Sequence, residues 1–356
     1  MNVQAPELKA ALRKLAPVKT ETYQIGDGTI SAQDQAEGTV VQKSPLTGLS
    51  PAFNLSGKKL ASVVSRMSGQ IEVTRGDKSL TLKSAKARIE LEIQTAKPIA
   101  VPVDPERWLQ LPAADFKRNL ALAASAASPA KSAAFGGVVL LQSLPVGLEQ
   151  AFPAGYRAVG TDSIVLTVAN QPLDLPFEFS YLLNLTAAGI VQLMDTDVIE
   201  MGETNTALHV RGGGTAIYAT KPVQKYPEFS SFLALPALTK LRLEPAELLA
   251  ALRTVEPLMD EAVDQGQISL QFSDGVVYCR SIGDSGSRAQ DEAPYEQLEP
   301  DPVFEPKEHN LKLLAKYLIG FLSKAQGVTT LSITERPVRL EADGMVVLAM
   351  SGKGSK

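Results

Sequence analysis

Histidines, cysteines and paired carboxylates carry most enzyme chemistry, and this chain holds few of them at useful spacings. It has two histidines, His209 and His309, and one cysteine, Cys279. The histidines lie far apart, and neither has a second ligand at metal-binding spacing. No zinc site is expected, and each reads as an ordinary strand or loop histidine. Cys279 falls in the alternating stretch Val276 to Arg280 and reads as a packed strand residue. A single cysteine excludes an intrachain disulfide, and a reducing cytoplasm is the simplest setting. The run Arg211-Gly-Gly-Gly214 lacks the Lys-Ser/Thr of a phosphate loop. Gly57-Lys58-Lys59 has neither the upstream glycine nor the following hydroxyl, so a hairpin turn and a helix start are the better readings. The scattered Asp and Glu fix no metal-pair spacing. No catalytic residue, metal or cofactor is expected, and the protein reads as a non-enzyme.

Lysine and arginine do recur in a pattern. Six segments have helical periodicity, and five carry basic residues. Residues 5–16 hold Lys9, Arg13 and Lys14, and residues 57–68 hold Lys58, Lys59 and Arg66. Residues 113–128 hold Lys117 and Arg118, residues 245–255 hold Arg253, and residues 309–324 hold Lys312, Lys316 and Lys324. The remaining segment, 184–195, has none. On one helix such charges read as a solvated face, because Lys and Arg are mostly exposed anyway. Recurrence changes the weighing: helices gathered on one side would sum their charges into a basic lining. Lys and Arg without interleaved aromatic residues suit phosphate contact without base readout. The net charge of −4 argues against indiscriminate nucleic-acid binding over the whole surface. The densest acidic stretch, Asp284 to Glu308, reads as a loop away from the helices.

The elements that position these residues follow from periodicity. Leu8, Leu12 and Leu15 form one face of the first helix, with Pro6 in its first turn. Ser56 is placed to cap the second, whose stripe is Leu60, Val63, Val64 and Met67. Strands are expected at Thr22 to Ile25, Thr39 to Gln42, Gln70 to Thr74, Leu80 to Lys83, Arg88 to Ile93, Val138 to Leu141 and Gly155 to Ala169. Later strands are expected at Ile199 to Met201, Ala207 to Arg211, Ala216 to Thr220, Ile268 to Phe272 and Val276 to Arg280. Val328 to Thr334, Val338 to Glu341 and Met345 to Met350 close the series. Asp274-Gly275 between two of these is a strong hairpin signal. The helices start every 50 to 70 residues or so, each time with strands after, an internal repeat of elements. Six units pair into three domains, 1–103, 104–235 and 236–356. The joints are the proline-rich stretch from Lys97-Pro98 to Pro105, and Leu235-Pro236. Trp108, beside the first joint, reads as a packing anchor. Hydrophobic content of 44% and charged content of 21% are those of a soluble globular protein. No apolar run is long enough for a membrane helix, and no export signal is visible at the N-terminus.

The stretch from Leu111 to Leu173 organises the rest, and its residues carry a family resemblance. Leu111-Pro-Ala-Ala-Asp-Phe-Lys-Arg118 and Arg157-Ala-Val-Gly-Thr-Asp-Ser-Ile-Val-Leu166 are the first two motifs. Tyr226-Pro-Glu-Phe229 and Met345-Val-Val-Leu-Ala-Met350 follow in the same order and spacing. With these motifs the chain resembles the bacterial-type DNA polymerase sliding clamp, the beta-subunit processivity factor, of bacterial or phage origin. Ser163-Ile164-Val165 stands where that family has Gly-His-Arg, Ala349 replaces a terminal proline, and Ser351-Gly352 replaces Arg-Leu.

The resemblance implies an α+β fold of three similar domains. Two chains would close head to tail into a ring, helices inside and sheets outside. The ring would encircle duplex DNA irrespective of sequence and tether the polymerase. Polymerase and clamp loader would dock short hydrophobic peptides in a pocket. By position, that pocket is lined by Thr161, Ser163, Ile164, Leu166, Pro227, Phe232, Val346, Val347, Leu348 and Met350. The seam of the homodimer would bring Leu258 and Met259 against Ile89 and Leu91 of the partner chain. DNA would meet Lys9, Arg13, Lys14, Lys58, Lys59, Arg66, Lys117, Arg118, Arg253, Lys312 and Lys316. The setting is the cytoplasm, that of the host for a phage protein, with no membrane partner. A repeat-built phage shell or tail protein is the alternative. It would explain the strands and the missing catalytic residues, but not the recurring basic helices. A monomeric enzyme with an unrecognised site ranks last.

Overall fold

Local signals set the helices. In a computed structural model of the chain, residues 1–97, 99–127, 137–144, 154–222, 225–259, 266–282, 288–299, 310–325, 327–334, 337–350 and 352–353 are described. Among them the α-helices are α1 (Ala5–Leu15), α2 (Gly57–Arg66), α3 (Ala113–Ala126) and α4 (Leu185–Gln192). The short α5 (Ser230–Leu233), α6 (Pro245–Val255) and α7 (Ala315–Leu322) follow. Five of these (α1 to α4 and α6) sit where periodicity places them, and α7 fills only the second part of the sixth expected segment. Leu8, Leu12 and Leu15 are the buried face of α1. Ser56 caps α2 by accepting the Lys59 amide at 3.4 Å, and Asn184 caps α4 by accepting that of Ala187 at 2.8 Å. Each side-chain oxygen satisfies a backbone donor that the helix start leaves open.

The chain divides into two compact units. The first comprises Met1–Lys117 and Tyr181–Val223. It contains an antiparallel four-stranded sheet in the order Asn2–Gln4, Gln70–Arg75, Ser79–Lys83, Arg88–Glu92. A nine-stranded sheet runs Leu109–Pro112, Val198–Glu203, Ala207–Gly212, Thr215–Thr220, Gly38–Lys43, Thr29–Asp34, Thr22–Gly26, Phe53–Ser56, Gln94–Thr95. Its middle joint pairs Ile217 with Val40 and Ala219 with Gly38. A Cβ on Gly38 would stand 2.2 Å from the Tyr218 carbonyl oxygen, at φ +121°. Only glycine fits that joint without displacement.

The second unit comprises Arg118–Ser180 and Gln224–Lys356. From Val138–Leu144 its sheet runs Gly155–Thr161, Val165–Pro172, Met345–Met350, Pro337–Ala342, Thr329–Ile333 and Thr239–Leu243. It continues through Arg288–Glu299, Val276–Ile282, Gln267–Ser273, Asn310–Leu314 and Gly352–Lys353. Its own joint pairs Leu166 with Leu348 and Val168 with Val346. Under the sheet, Leu248, Leu252 and Val255 of α6 and Leu318, Phe321 and Leu322 of α7 pack with Phe272, Cys279, Leu331 and Val347. Residues of the expected middle domain, 104–235, thus belong to both units, through the two strand joints.

Two expectations are corrected. The segment 309–324 is not one helix: Asn310–Leu314 is a strand paired with Gln267–Gln271, and α7 begins only at Ala315. Leu311 and Leu313 are buried, at 5% and 1% exposure. That period-two pattern overrides the helical reading. Lys312 is therefore a strand residue opposite Ser269, while His309 lies outside the described residues. The acidic stretch is also not a loop throughout, because Arg288–Glu299 is a strand. Ala293 and Tyr295 turn to the core while Glu292 and Glu296 are exposed. Asp274 and Gly275 do make the expected hairpin, with φ of +51° and +81°, as a type I′ turn requires.

Candidate functional site

The second unit contains an apolar groove of about 250 Å³ built from three separate stretches. Its first wall is the turn after strand Gly155–Thr161. Thr161 Oγ1 donates to the Val165 carbonyl at 2.7 Å, and the Ser163 amide donates to that same Oγ1 at 3.1 Å. Asp162 Oδ1 accepts the amides of Ile164 and Val165 at 2.9 and 2.8 Å, and its Oδ2 accepts the Tyr317 hydroxyl. So tied, the turn holds Ser163 at φ +79° and leaves Ile164 52% exposed.

The second wall is Tyr226 to Phe232. The Tyr226 hydroxyl donates to the Val159 carbonyl at 3.1 Å. Burial pushes its pKa well up, so it stays a donor. Its ring meets Phe229 edge-on at 6.3 Å, and the Arg157 guanidinium stands over the Phe229 ring at 5.6 Å. Glu228 Oε1 accepts the amides of Phe229 and Ser230 at 3.1 and 2.9 Å. Those N–H groups, Ser230's above all, hold the carboxyl below its usual range. The turn of helix that follows presents Phe232, 49% exposed. The floor is Leu166 and Leu348, cross-strand partners, with Pro337 beside them.

The basic residues differ in how free they are. Arg13, Lys58, Lys59, Arg66, Arg253 and Lys316 are exposed, on α1, α2, α6 and α7. The Lys316 ammonium lies 4.7 Å from the Tyr317 ring centre. Lys9, Lys14, Lys117, Arg118 and Lys312 are half-buried. Lys14 donates to the Gly213 carbonyl at 3.4 Å, and Lys117 to that of Met194.

No family model and no curated protein matches the sequence. Solved structures do match, over nearly the whole chain. A DNA polymerase III beta subunit from Thermotoga maritima superposes with a TM-score of 0.80 at 15% identity, covering 99% of both chains. A putative DNA polymerase III beta subunit from Eubacterium rectale gives 0.81 at 13%, again with 99% of both covered. A sliding clamp from Bartonella birtlesii bound to griselimycin gives 0.81 at 12%, with the same coverage. This chain has the sliding-clamp fold.

Within that clamp fold, seven residues taken from the resemblance line the groove: Thr161, Ser163, Ile164, Leu166, Pro227, Phe232 and Leu348. Val346 and Val347 do not. They are 2% and 0% exposed. Strand alternation turns Val347 into the core, and Val346 sits one pair further along, opposite Val168. Met350 pairs with Pro337 in the backbone, and its side chain lies outside the described residues. Val165, Glu228, Phe229 and Pro337 also line the groove and were not expected. The first three fall inside the motifs that carry the resemblance. Pro337 has no local signal, since only strand pairing brings it there.

Of the expected seam residues, Ile89 is half-buried and Leu91 buried, on Arg88–Glu92, the outer strand of the four-stranded sheet. Leu258 is exposed and Met259 half-buried, just beyond α6. His209 is buried edge-on between Trp108 and Tyr218, at 6.2 and 5.0 Å, and burial lowers its pKa. Trp108 is the packing anchor expected, with the Arg211 guanidinium 3.7 Å above its ring. Burial pushes the Cys279 thiol up to about 12, which makes it a poor nucleophile at neutral pH. Among the described residues no cluster of three His, Cys, Asp or Glu is placed to hold a metal ion. No described helix is long and apolar enough to cross a membrane.

Proposed function

We propose that this protein is a DNA sliding clamp, a ring that encircles duplex DNA and tethers a replicative polymerase to it. The carrying observation is the groove: residues from three distant stretches, named from the resemblance, meet in one apolar pocket within a clamp fold. An apolar groove with a few polar rim groups suits a short hydrophobic peptide. The pocket is the docking site for the polymerase and the clamp loader.

In this reading the chain forms three clamp domains, 1–103, 104–235 and 236–356, and two chains close into a ring. Ile89 and Leu91 of one chain meet Leu258 and Met259 of the other, a head-to-tail contact that closes on itself. The exposed Arg13, Lys58, Lys59, Arg66, Arg253 and Lys316 face the phosphates, assisted by Lys9, Lys14, Lys117, Arg118 and Lys312. Contact is with phosphate alone, so binding is independent of sequence and weakens with salt. The protein works in the cytoplasm without cofactor or catalysis, as a topological link.

The test is retention on DNA. Purified protein is loaded onto nicked circular duplex by a loader or by transient dissociation of the ring. The circle is then linearised. A clamp stays on the circle in high salt and runs off the linear product. Equal loss from both forms would sink the proposal, as would a strictly monomeric mass at every concentration with no ring in negative stain.

A further inference from the structure

The groove carries a feature that bears on which partners it accepts. Among the described residues that line it, one side chain is ionised, and it is an acid, Glu228. The rest are apolar, apart from the hydroxyls of Thr161 and Ser163. We propose that the groove selects segments that place a lysine or arginine beside their apolar anchors and disfavours acidic ones, with Glu228 as the selecting residue. This rests on the groove being the partner pocket.

Three observations carry the proposal. Glu228 is fixed before any ligand arrives, because its Oε1 holds the Phe229 and Ser230 amides at 3.1 and 2.9 Å. A carboxylate already in place loses little freedom when it pairs with a cation. Two of the nearby cations are engaged elsewhere. Arg157 is buried under Phe229, and Arg339 donates to the Leu233 carbonyl at 2.9 Å and lies 3.3 Å from Glu341. Lys225, itself exposed, is the cation acting on Glu228 among the described residues. A second carboxylate, Asp162, adjoins the opposite wall, with both oxygens bonded within the unit. An incoming acidic residue would meet two negative charges flanking an apolar surface, and an incoming cation would complement them.

The full-length protein is titrated with fluorescein-labelled hexapeptides followed by anisotropy. All share leucine and phenylalanine anchors and differ at one flanking position on either side of them: lysine, glutamine or glutamate. In low salt the lysine peptides should bind about three- to fivefold tighter than glutamine and the glutamate peptides weaker by a similar factor, the reach of an exposed ion pair. In Glu228→Gln, or in salt near 0.5 M, the ladder should collapse to within about twofold. Glutamine keeps an acceptor for the two amides, so the wall stays folded. If all peptides bind equally well and Phe232→Ala still weakens them, the groove is the partner pocket and the selection is wrong. If the ladder persists in Glu228→Gln, another group selects. If no peptide binds at millimolar concentration, the pocket reading fails and the proposal with it.

Discussion

Phe232→Ala tests the groove at a side chain that is half open to a ligand. Phe232 is 49% exposed, on a short helical turn outside the core of its unit. A phenylalanine offers about 200 Å² of surface, so roughly 100 Å² remains for a ligand to cover. At about 25 cal/mol per Å² this is worth roughly 2.5 kcal/mol. Alanine keeps a small part, leaving a loss of about 1.5–2 kcal/mol, or roughly ten- to thirtyfold in Kd. The costs of immobilising the ligand are the same for both proteins and cancel. The half of the side chain that is packed is worth a similar amount to the fold, so stability should fall by no more than about 2 kcal/mol. Leu348 gives no such test: it is 4% exposed, and a charge there would unfold the strand before it tested the pocket. The assay is anisotropy with a labelled hydrophobic peptide, alongside a melting curve and polymerase stimulation on primed circles. A Kd unchanged within twofold, with the fold intact, would refute the placing of the peptide against Phe232. A large fall in melting temperature would refute the reasoning on exposure instead.

Further outcomes follow from other sites. Gly160→Ala would place a Cβ 1.8 Å from the Ala123 carbonyl oxygen of α3. It should cost about 1–3 kcal/mol or more in denaturant unfolding, and a neutral result would overturn the close approach of strand and helix. His209 has a folded pKa below its ordinary value through burial, so the unfolded chain takes up the proton first. Its contribution to stability is complete above the unfolded value of about 6.5 and is lost as pH falls below that. His209→Phe should flatten the slope of stability against pH just below about 6.5, and an unchanged slope would count against it. Reversing Arg13, Arg66 and Lys316 to glutamate should shorten retention on closed circles, read as the half-life at fixed salt. Reversing the strand residue Lys83, which pairs with Glu72 at 3.3 Å, should not, and equal effects would dissolve the special role of the helices.

Much of the fold can be read from neighbouring residues alone. Helix starts, the Ser56 cap, the Asp274-Gly275 turn and the buried stripe of α1 depend on chemistry within a few positions, which the sequence states directly. The two walls of the groove were named through the family resemblance, on motifs that turn out to be locally held. The Thr161 to Val165 turn and the Tyr226 to Phe232 segment are each held largely by short-range hydrogen bonds. Segments 288–299 and 310–314 read wrongly because charge density and a helical spacing masked a period-two pattern that becomes plain once a partner strand is present.

Taken alone, the sequence determined the α+β class, the repeating helix-and-strand units and most element positions, and its motifs carried the resemblance that named part of the two walls. Tertiary structure decided which strand edges join. Thr215–Thr220 meets Gly38–Lys43, and Val165–Pro172 meets Met345–Met350. These pairings sort the chain into its two units, bring Pro337 and Leu348 to the groove and turn Val347 away from it. Lys14 and Lys117 likewise find distant carbonyls that no local pattern announces. The physical reason is range. Propensity, capping and turn chemistry act over a few residues. A strand edge is complementary to every other strand edge through the same backbone groups. Which pair forms is therefore settled by packing of the whole chain.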